Sequence, residues 1–281
     1  MLAESLEGLA IRPDGVYLDC TTGLGGHTGA IARQLSTGLV IANDRDAAAI
    51  EIARANTRDV ADRILFHHGP FSMLASAVGE AGRGQVDGLL ADLGVSRFQL
   101  LTPDRGFSFM TEGPLDMRMD QSRGTTAEEL VNRSAEKALA DWIYQYGEER
   151  RARKIARAIV RARPIRSTLH LADVVQRAVP RTGKMHPATQ TFMALRMVVN
   201  QEPDELDALL ETAPHLVKPG GRIVVIAFMS LEDRQVKERF REYQTQGLGQ
   251  IVTKKPLVPS EQEVRQNPPS RSAKLRVFQM S

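Results

Sequence analysis

Apolar residues in the first third of this chain come in short unbroken runs, and most of the runs close on an acid. Val16-Tyr17-Leu18 ends at Asp19, Leu39-Val40-Ile41-Ala42-Asn43 ends at Asp44, and Val86-Asp87-Gly88-Leu89-Leu90-Ala91 ends at Asp92. A shorter run, Ile64-Leu65-Phe66, leads into His67-His68-Gly69-Pro70-Phe71. Runs of this length, with little polar alternation, read as buried strands. Helix-prone stretches lie between them, at residues 29–32, 47–55 and 71–78. Leu2, Leu6, Leu9 and Ala10 predict one more short amphipathic helix, ended by Pro13-Asp14-Gly15. Strands alternating with helices predict an α/β fold around a parallel, Rossmann-like sheet.

The pattern breaks after Asp92. Residues 94–124 carry glycines, prolines and phenylalanines with no clean period, and read as a long functional loop leaving the sheet, part of an active-site rim. Helical spacing then takes over. Thr126-x-x-Glu129 matches a capping box, and Leu139, Trp142, Ile143 and Tyr146 share one helical face. Ile155, Ile159 and Val160 continue it, Leu171, Val174, Val175 and Val179 mark another helix, and Phe192, Leu195, Arg196 and Val199 a further one. Residues 105–199 therefore predict a helical domain inserted into a discontinuous α/β domain of residues 1–104 and 200–281. In the last segment the pattern predicts a helix at 204–216, a turn at 218–222, a strand at 223–227 and a helix at 231–243. The proline-rich tail contains Ser260-x-x-Glu263, a candidate helix cap. Lys274-Leu275-Arg276-Val277-Phe278 reads as a final edge strand whose cations discourage further pairing.

The first strand is followed by Cys20-Thr21-Thr22-Gly23-Leu24-Gly25-Gly26-His27-Thr28, a glycine-rich turn at the start of a helix. Glycine allows a sharp turn and a close backbone approach to a ligand, and a helix start offers unpaired N–H groups. Asp44 follows about 20 residues later, where dinucleotide-binding folds place the acid that holds ribose hydroxyls. The plain alternative is a tight turn with no ligand. A carboxylate at Asp19 would repel a pyrophosphate by about 4 kcal/mol at ~4 Å and an effective dielectric of 20. The turn thus suits the sulfonium and amino group of S-adenosylmethionine better than NAD. Asp19, Asp44 and Asp92 should converge outside the carboxyl ends of the strands, where open α/β sheets bind ligands. His27 reads either as a ligand contact or as a polar residue opening the helix. No metal-ligand spacing, P-loop or G-x-S-x-G motif occurs.

Composition narrows the class. With 281 residues, 42% hydrophobic and 25% charged, the chain can bury a sizeable core in one large or two ordinary domains. One cysteine excludes a disulfide framework and points to a reducing cytosol. No apolar run approaches ~20 residues, so no membrane span is predicted, and the start resembles no signal peptide. Net charge is +3, compatible with nucleic acid as partner. Seven cations crowd into residues 150–163, and Arg150, Lys154, Arg157 and Arg161 form one stripe that reads as a phosphate-tracking surface or as a solvated face. Arg166, Arg177, Arg181 and Lys184 add to it. Phe98, Phe107, Phe109 and Met110 read as base-stacking groups or as packing between domains.

Taken together, these segments resemble the bacterial small-subunit rRNA cytosine-N4 methyltransferase family, the MraW family. The resemblance is carried by Asp19-Cys20-Thr21 with Gly23-x-Gly25-Gly26-His27, Asp44-Arg45-Asp46, His68-Gly69-Pro70-Phe71-Ser72, Asp92-Leu93-Gly94-Val95-Ser96, Arg105-Gly106-Phe107-Ser108-Phe109 and the run from Gly113 through Leu115-Asp116-Met117-Arg118-Met119-Asp120. Tyr146-Gly147-Glu148-Glu149-Arg150, His186-Pro187-Ala188-Thr189, Ser230-Leu231-Glu232-Asp233-Arg234 and Arg271-Ser272-Ala273-Lys274 extend it along nearly the whole chain. It implies a class I S-adenosylmethionine-dependent methyltransferase with a helical insertion, acting on N4 of a cytidine in the decoding region of 16S rRNA. The implied cofactor contacts are Gly25, Gly26, His27, Asp44, Phe71, Asp92 and Gln99, with Asp44 on the ribose and Phe71 against adenine. Asp92 is our candidate catalytic acceptor for the amine. The implied partner is 16S rRNA or the small subunit, in the cytoplasm. The oligomeric state stays open, a dimer included. Three departures from the family stand out: the sequence starts without the family's His-x-Pro-Val-like lead, Met229 replaces a family histidine, and Arg97-Phe98 replaces Ser-Pro. The second reading they open is a non-catalytic RNA-binding assembly factor.

Overall fold

The computed structural model describes residues 1–181 and 186–281. The chain divides into two compact units, one of Met1–Gly94 with Pro203–Ser281 and one of Val95–Glu202.

The first unit begins with α1 (Leu2–Leu9), β1 (Val16–Asp19), α2 (Gly26–Ala32), β2 (Leu39–Asp44), α3 (Ala47–Asn56), β3 (Ile64–His68), α4 (Leu74–Glu80) and β4 (Val86–Asp92). The second unit holds α5 (Arg97–Leu101), α6 (Ala127–Arg133), α7 (Glu136–Gln145), α8 (Ala152–Arg161), α9 (Thr168–Ala178) and α10 (Thr189–Val199). The chain then returns through α11 (Glu202–Leu216), β5 (Val217–Ala227), α12 (Ser230–Thr245), β6 (Gly249–Ile251), α13 (Glu261–Gln266) and β7 (Lys274–Met280).

Among the described residues seven strands form one sheet, in the order β3-β2-β1-β4-β5-β7-β6. β1 to β5 run parallel, and β7 runs antiparallel to both β5 and β6. This is the parallel, Rossmann-like sheet that the sequence pattern predicts, with an antiparallel flank. Alternate side chains serve two cores, as the pleat requires. Leu18, Leu89, Ile223 and Val225 join Leu74, Leu206, Leu210 and Phe240 on one face. Tyr17, Leu90, Val224 and Ile226 join Leu9, Ile31, Leu275 and Val277 on the other. Burial on both sides explains why the central strands are apolar runs rather than alternating ones. The order reverses between β1 and β4, which pair through Tyr17–Gly88, Leu18–Leu89 and Asp19–Leu90. The Tyr17 ring lies so close to Gly88 that a Cβ there would sit 3.0 Å from it.

Two expectations about the last segment are corrected. Lys274–Phe278 is not an edge. β7 is sandwiched between β5 and β6, and its Lys274 and Arg276 bind Asp233 at 3.2 and 2.7 Å instead of guarding an open flank. The three-residue β6 that forms the true edge is too short to show a period. The turn at 218–222 is a bulge within β5: pairing steps from Val86–Val217 to Gly88–Arg222, with Gly220 at φ +77° absorbing the extra residues.

The second unit has its own core, with Leu115, Met117, Val131, Ile143, Ile155, Ile159, Leu171 and Leu195 all buried. Its irregular stretch is tightly built. A Cβ on Gly106, at φ +71°, would meet Pro114 O at 2.3 Å and Asp116 N at 2.6 Å. Buried Arg105 donates to the carbonyls of Arg118 and Met119 at 3.0 and 2.9 Å. Asn200 holds the same strand of chain, accepting from Met119 N–H at 2.8 Å and donating to Met117 O at 2.7 Å. Phe107 is buried, and Phe109 packs on Phe192 and His186 with ring centroids 4.8 Å apart in each pair. These two rings are therefore core rather than free stacking surfaces, whereas Met110 is 83% exposed. The short α5 lies inside the stretch whose pattern has no period, and its sequence signal is the reciprocal capping box of Ser96 and Gln99, the S-x-x-Q of a helix start.

Candidate active site at the carboxyl ends of the strands

The turn after β1 is stitched to both neighbouring strands. Cys20 N–H donates to Leu90 O at 2.8 Å and Thr22 N–H to Asn43 O at 2.9 Å. The Thr21 hydroxyl accepts from Asp92 N–H at 2.7 Å. Gly23 and Gly25 adopt φ of +52° and +87°, which a side chain would resist, and a Cβ at Gly25 would press on Thr57 at 3.0 Å. Gly26 is different: a Cβ there would meet nothing within 4 Å. The protein's own packing leaves that side of the turn open, as a ligand cradle would.

The three strand-end acids differ in what they can offer. Asp19 is completely buried; its oxygens accept from Thr21 N–H at 3.1 Å and from the Thr28 hydroxyl at 2.6 Å. Burial pushes its pKa up to about 6 against those hydrogen bonds. Asp19 thus braces the turn from beneath and does not line the mouth, so its expected convergence with the other two acids at a ligand is corrected. Asp19 closes β1, and the Thr28 hydroxyl captures its carboxylate on the inner side of the turn.

Asp44 is half-buried, and accepts from Gly23 N–H at 2.7 Å and Asp46 N–H at 2.9 Å. It too is pushed up to about 6 by desolvation. Each of its oxygens keeps a second lone pair, enough to accept from two hydroxyls. Gly69 N–H donates to Asp44 O at 3.0 Å, which brings the Gly69-Pro70-Phe71 turn beside it. Phe71 is partly buried there, packed against the core from the rim.

Asp92 and His27 face each other across the turn, with His27 Nδ1 3.7 Å from Asp92 Oδ2 and side chains 16% and 31% exposed. Burial raises Asp92 to about 6, although the His27 charge opposes this. Burial lowers His27, although Asp92 opposes that. Among the described residues, Asp92 Oδ1, His27 Nε2 and Thr22 Oγ1 are buried without a hydrogen-bond partner. Orphaned groups of this kind are costly inside a folded protein unless something docks on them. Asp92 is followed by Leu93, whose N–H donates to Ile226 O at 2.9 Å, so the end of β5 flanks it. Just beyond, Met229 caps α12, and buried Glu232 accepts from the N–H groups of Phe228 and Met229 at 3.0 Å each.

Gln99 belongs to the second unit, where its side chain accepts from Ser96 N–H at 2.9 Å to cap α5. Lys184 lies outside the described residues.

One supporting residue escaped sequence reasoning. Asn43 is fully buried, donates to Cys20 O at 3.3 Å and Gly69 O at 3.0 Å, and meets His67 Nδ1 through its carbonyl at 2.8 Å. It ties the glycine turn to the turn bearing Phe71. The signal was an amide closing an otherwise apolar strand, where a buried polar group needs partners on neighbouring loops.

The sequence pattern of the MraW methylase family matches residues 1–281. The ribosomal RNA small subunit methyltransferase H of Solibacter usitatus is 68% identical over 280 residues, covering 100% of this chain and 98% of that protein. The protein of the same name from Acaryochloris marina is 51% identical over 277 residues, covering 97% and 90%. Among solved structures, an rRNA methylase from Streptococcus thermophilus aligns with a TM-score of 0.48 at 12% identity, covering 99% of this chain and 94% of that one. A pattern that runs from the first residue to the last, and relatives that share half or more of their residues over nearly their full length, leave one assignment: the chain belongs to the MraW methylase family.

Proposed function

We propose that the protein transfers a methyl group to the exocyclic N4 of a cytidine in the decoding region of 16S rRNA. The coarser statement stands on family membership: this is an S-adenosylmethionine-dependent rRNA methyltransferase. The observation that carries the finer reading is the unpartnered Asp92 Oδ1, a buried carboxylate acceptor at the mouth of the sheet beside the open face of Gly26.

S-adenosylmethionine supplies an electrophilic methyl group and, once it has been given up, leaves as the neutral thioether. By the family resemblance, Gly25 and Gly26 would present bare backbone to it, Asp44 would accept from its ribose hydroxyls, and Phe71 and His27 would supply further contacts. The N4 lone pair of cytosine is delocalised into the ring, so the amine is a weak nucleophile. Asp92 Oδ1 accepts one N4–H, turns the lone pair toward the methyl group, and takes the proton as the N4–C bond forms. A carboxylate raised to about 6 is ionised at neutral pH and basic enough to receive that proton. Positioning of this kind contributes up to ~7–11 kcal/mol of barrier reduction. The cytoplasm, where the ribosomal subunit is found, is the proposed location, and among the described residues no helix is long and apolar enough to cross a membrane.

Transfer of tritium from labelled donor to purified small subunits tests the activity. Counts in 16S rRNA with wild type, and none with Asp92→Ala even at donor concentrations that saturate the variant, are the expected result. Donor and RNA binding with no incorporation by wild type would select the non-catalytic assembly factor instead.

A further inference from the structure

The cations of the helical unit separate into two kinds. No acidic residue occurs from Arg150 to Ala172, a stretch holding eight arginines and lysines. Three of the eight are committed to the fold. Arg151 binds Glu149 through two hydrogen bonds of 3.0 and 3.2 Å and donates to Pro180 O at 3.0 Å. Arg163 donates to the carbonyls of Val131 and Ser134. Arg157 faces Glu136 at 3.5 Å. Arg150, Arg153, Lys154, Arg161 and Arg166 remain exposed.

Three of those five lie on α8. At ~100° per residue, Arg153, Lys154, Arg157 and Arg161 fall within an arc of about 100°, opposite buried Ala152, Ile155, Ala156 and Ile159. Solvated faces of the other helices look different. Lys137–Asp141 on α7, Arg177–Asp173 on α9, Arg133–Glu129 on α6 and Arg265–Glu261 on α13 are i,i+4 ion pairs. Among the described residues α8 has no such pair, because its sequence supplies no acid. An all-cation face repels itself and costs stability, so an anionic partner accounts for it better than solvent does.

We propose that the exposed face of α8, through Arg153, Lys154 and Arg161 with Arg150 and Arg166 flanking, is the surface on which the rRNA phosphate backbone lies. From Arg153 to Arg161 the helix rises ~12 Å, which spans three to four phosphates of one strand at ~3.4 Å each. This rests on rRNA being the substrate, and adds which surface holds it. The contact reads phosphate rather than base, so it is independent of sequence.

The triple variant R153Q/K154Q/R161Q keeps helix-forming residues and leaves the buried face untouched. Anisotropy of labelled 16S hairpin and single-stranded fragments, measured across salt, reads the contact. A control variant, R83Q/K254Q/K255Q, removes three exposed cations of the sheet unit. For the α8 variant the slope of log K against log salt should shrink by about 2 to 3, and affinity should fall roughly a hundredfold at about 0.1 M salt. A change near 0.9 per cation marks duplex as the bound form and one near 0.7 marks single strand. Donor affinity should stay at its wild-type value, and the melting temperature should stay level or rise as the cations' mutual repulsion is relieved. A slope unchanged in the α8 variant, or reduced equally in the control, overturns the proposal. Wild type that transfers no methyl group to subunits would defeat the activity reading instead, and leaves the slope comparison intact.

Discussion

Replacing Asp92 with asparagine separates chemistry from folding, because the two should move in opposite directions. The carboxylate is carried from an ordinary 3.8 up to about 6 by burial. Two pH units correspond to about 3 kcal/mol favouring the protonated form. With the side chain 31% exposed, water screens part of this, and about 1–2 kcal/mol is the expected gain when the charge is removed at pH 8. The sign follows from proton binding. Between about pH 4 and 6 the native state holds a proton that the unfolded chain has released, so Asp92 contributes stability at acid pH that is lost as pH rises through 6. Asp92→Asn should remove that loss and melt higher than wild type at pH 8.

Activity should do the reverse. An amide accepts a weaker hydrogen bond than a carboxylate and takes no proton. Losing a charged hydrogen bond worth about 1.5–3 kcal/mol lowers kcat by roughly 10- to 150-fold, at about 1.4 kcal/mol per tenfold. Wild-type kcat should also fall tenfold per pH unit below about 6, as Asp92 protonates, and the variant should lack this limb. The assay is single-turnover methyl transfer to subunits at saturating donor across pH 5–8, with urea unfolding in parallel. A variant within twofold of wild-type kcat, or one that keeps the acid limb, refutes the role given to Asp92.

Other substitutions test the scaffold beneath the site. Asp19→Asn should flatten the decline of stability between about pH 4 and 6, where the buried carboxyl at about 6 contributes up to about 3 kcal/mol, as urea midpoints taken at each pH will show. Asn43→Ala strands the Cys20 and Gly69 carbonyls and the His67 ring. It should cost about 1–3 kcal/mol of stability and weaken donor binding in calorimetry more than it lowers kcat. Gly106→Ala drives a Cβ to 2.3 Å from Pro114 O at φ +71° and should destabilise the protein by at least about 2 kcal/mol in urea titration.

The sheet was readable because its strands are local events. Leu18, Ile41 and Leu89 sit in apolar runs whose character is fixed by burial on both faces, and the acids at their ends announce where the chain leaves the core. What failed depends on residues far apart. Lys274 and Arg276 look like edge guards until Asp233, some forty residues earlier, is brought to them. Residues 94–124 look structureless because Gly106, Pro114, Asn200 and Arg105 organise them through backbone contacts that have no period. For Phe107 and Phe109, stacking and packing stayed equally open for the same reason: the rings that Phe109 packs on, His186 and Phe192, come more than seventy residues later. At the site, the positions of Asp44 and Asp92 followed from their strands. The inward turn of Asp19 did not, since it depends on the Thr28 hydroxyl that captures it.

The central claim is that the donor at the mouth of this sheet delivers its methyl group to a cytosine amine. Mass spectrometry of nucleosides from small subunits treated with the enzyme and trideuteromethyl-labelled donor tests it directly. The account predicts a labelled cytidine whose base carries the label on N4. Label on the cytosine ring carbon, on ribose, on another base, or absent altogether contradicts it.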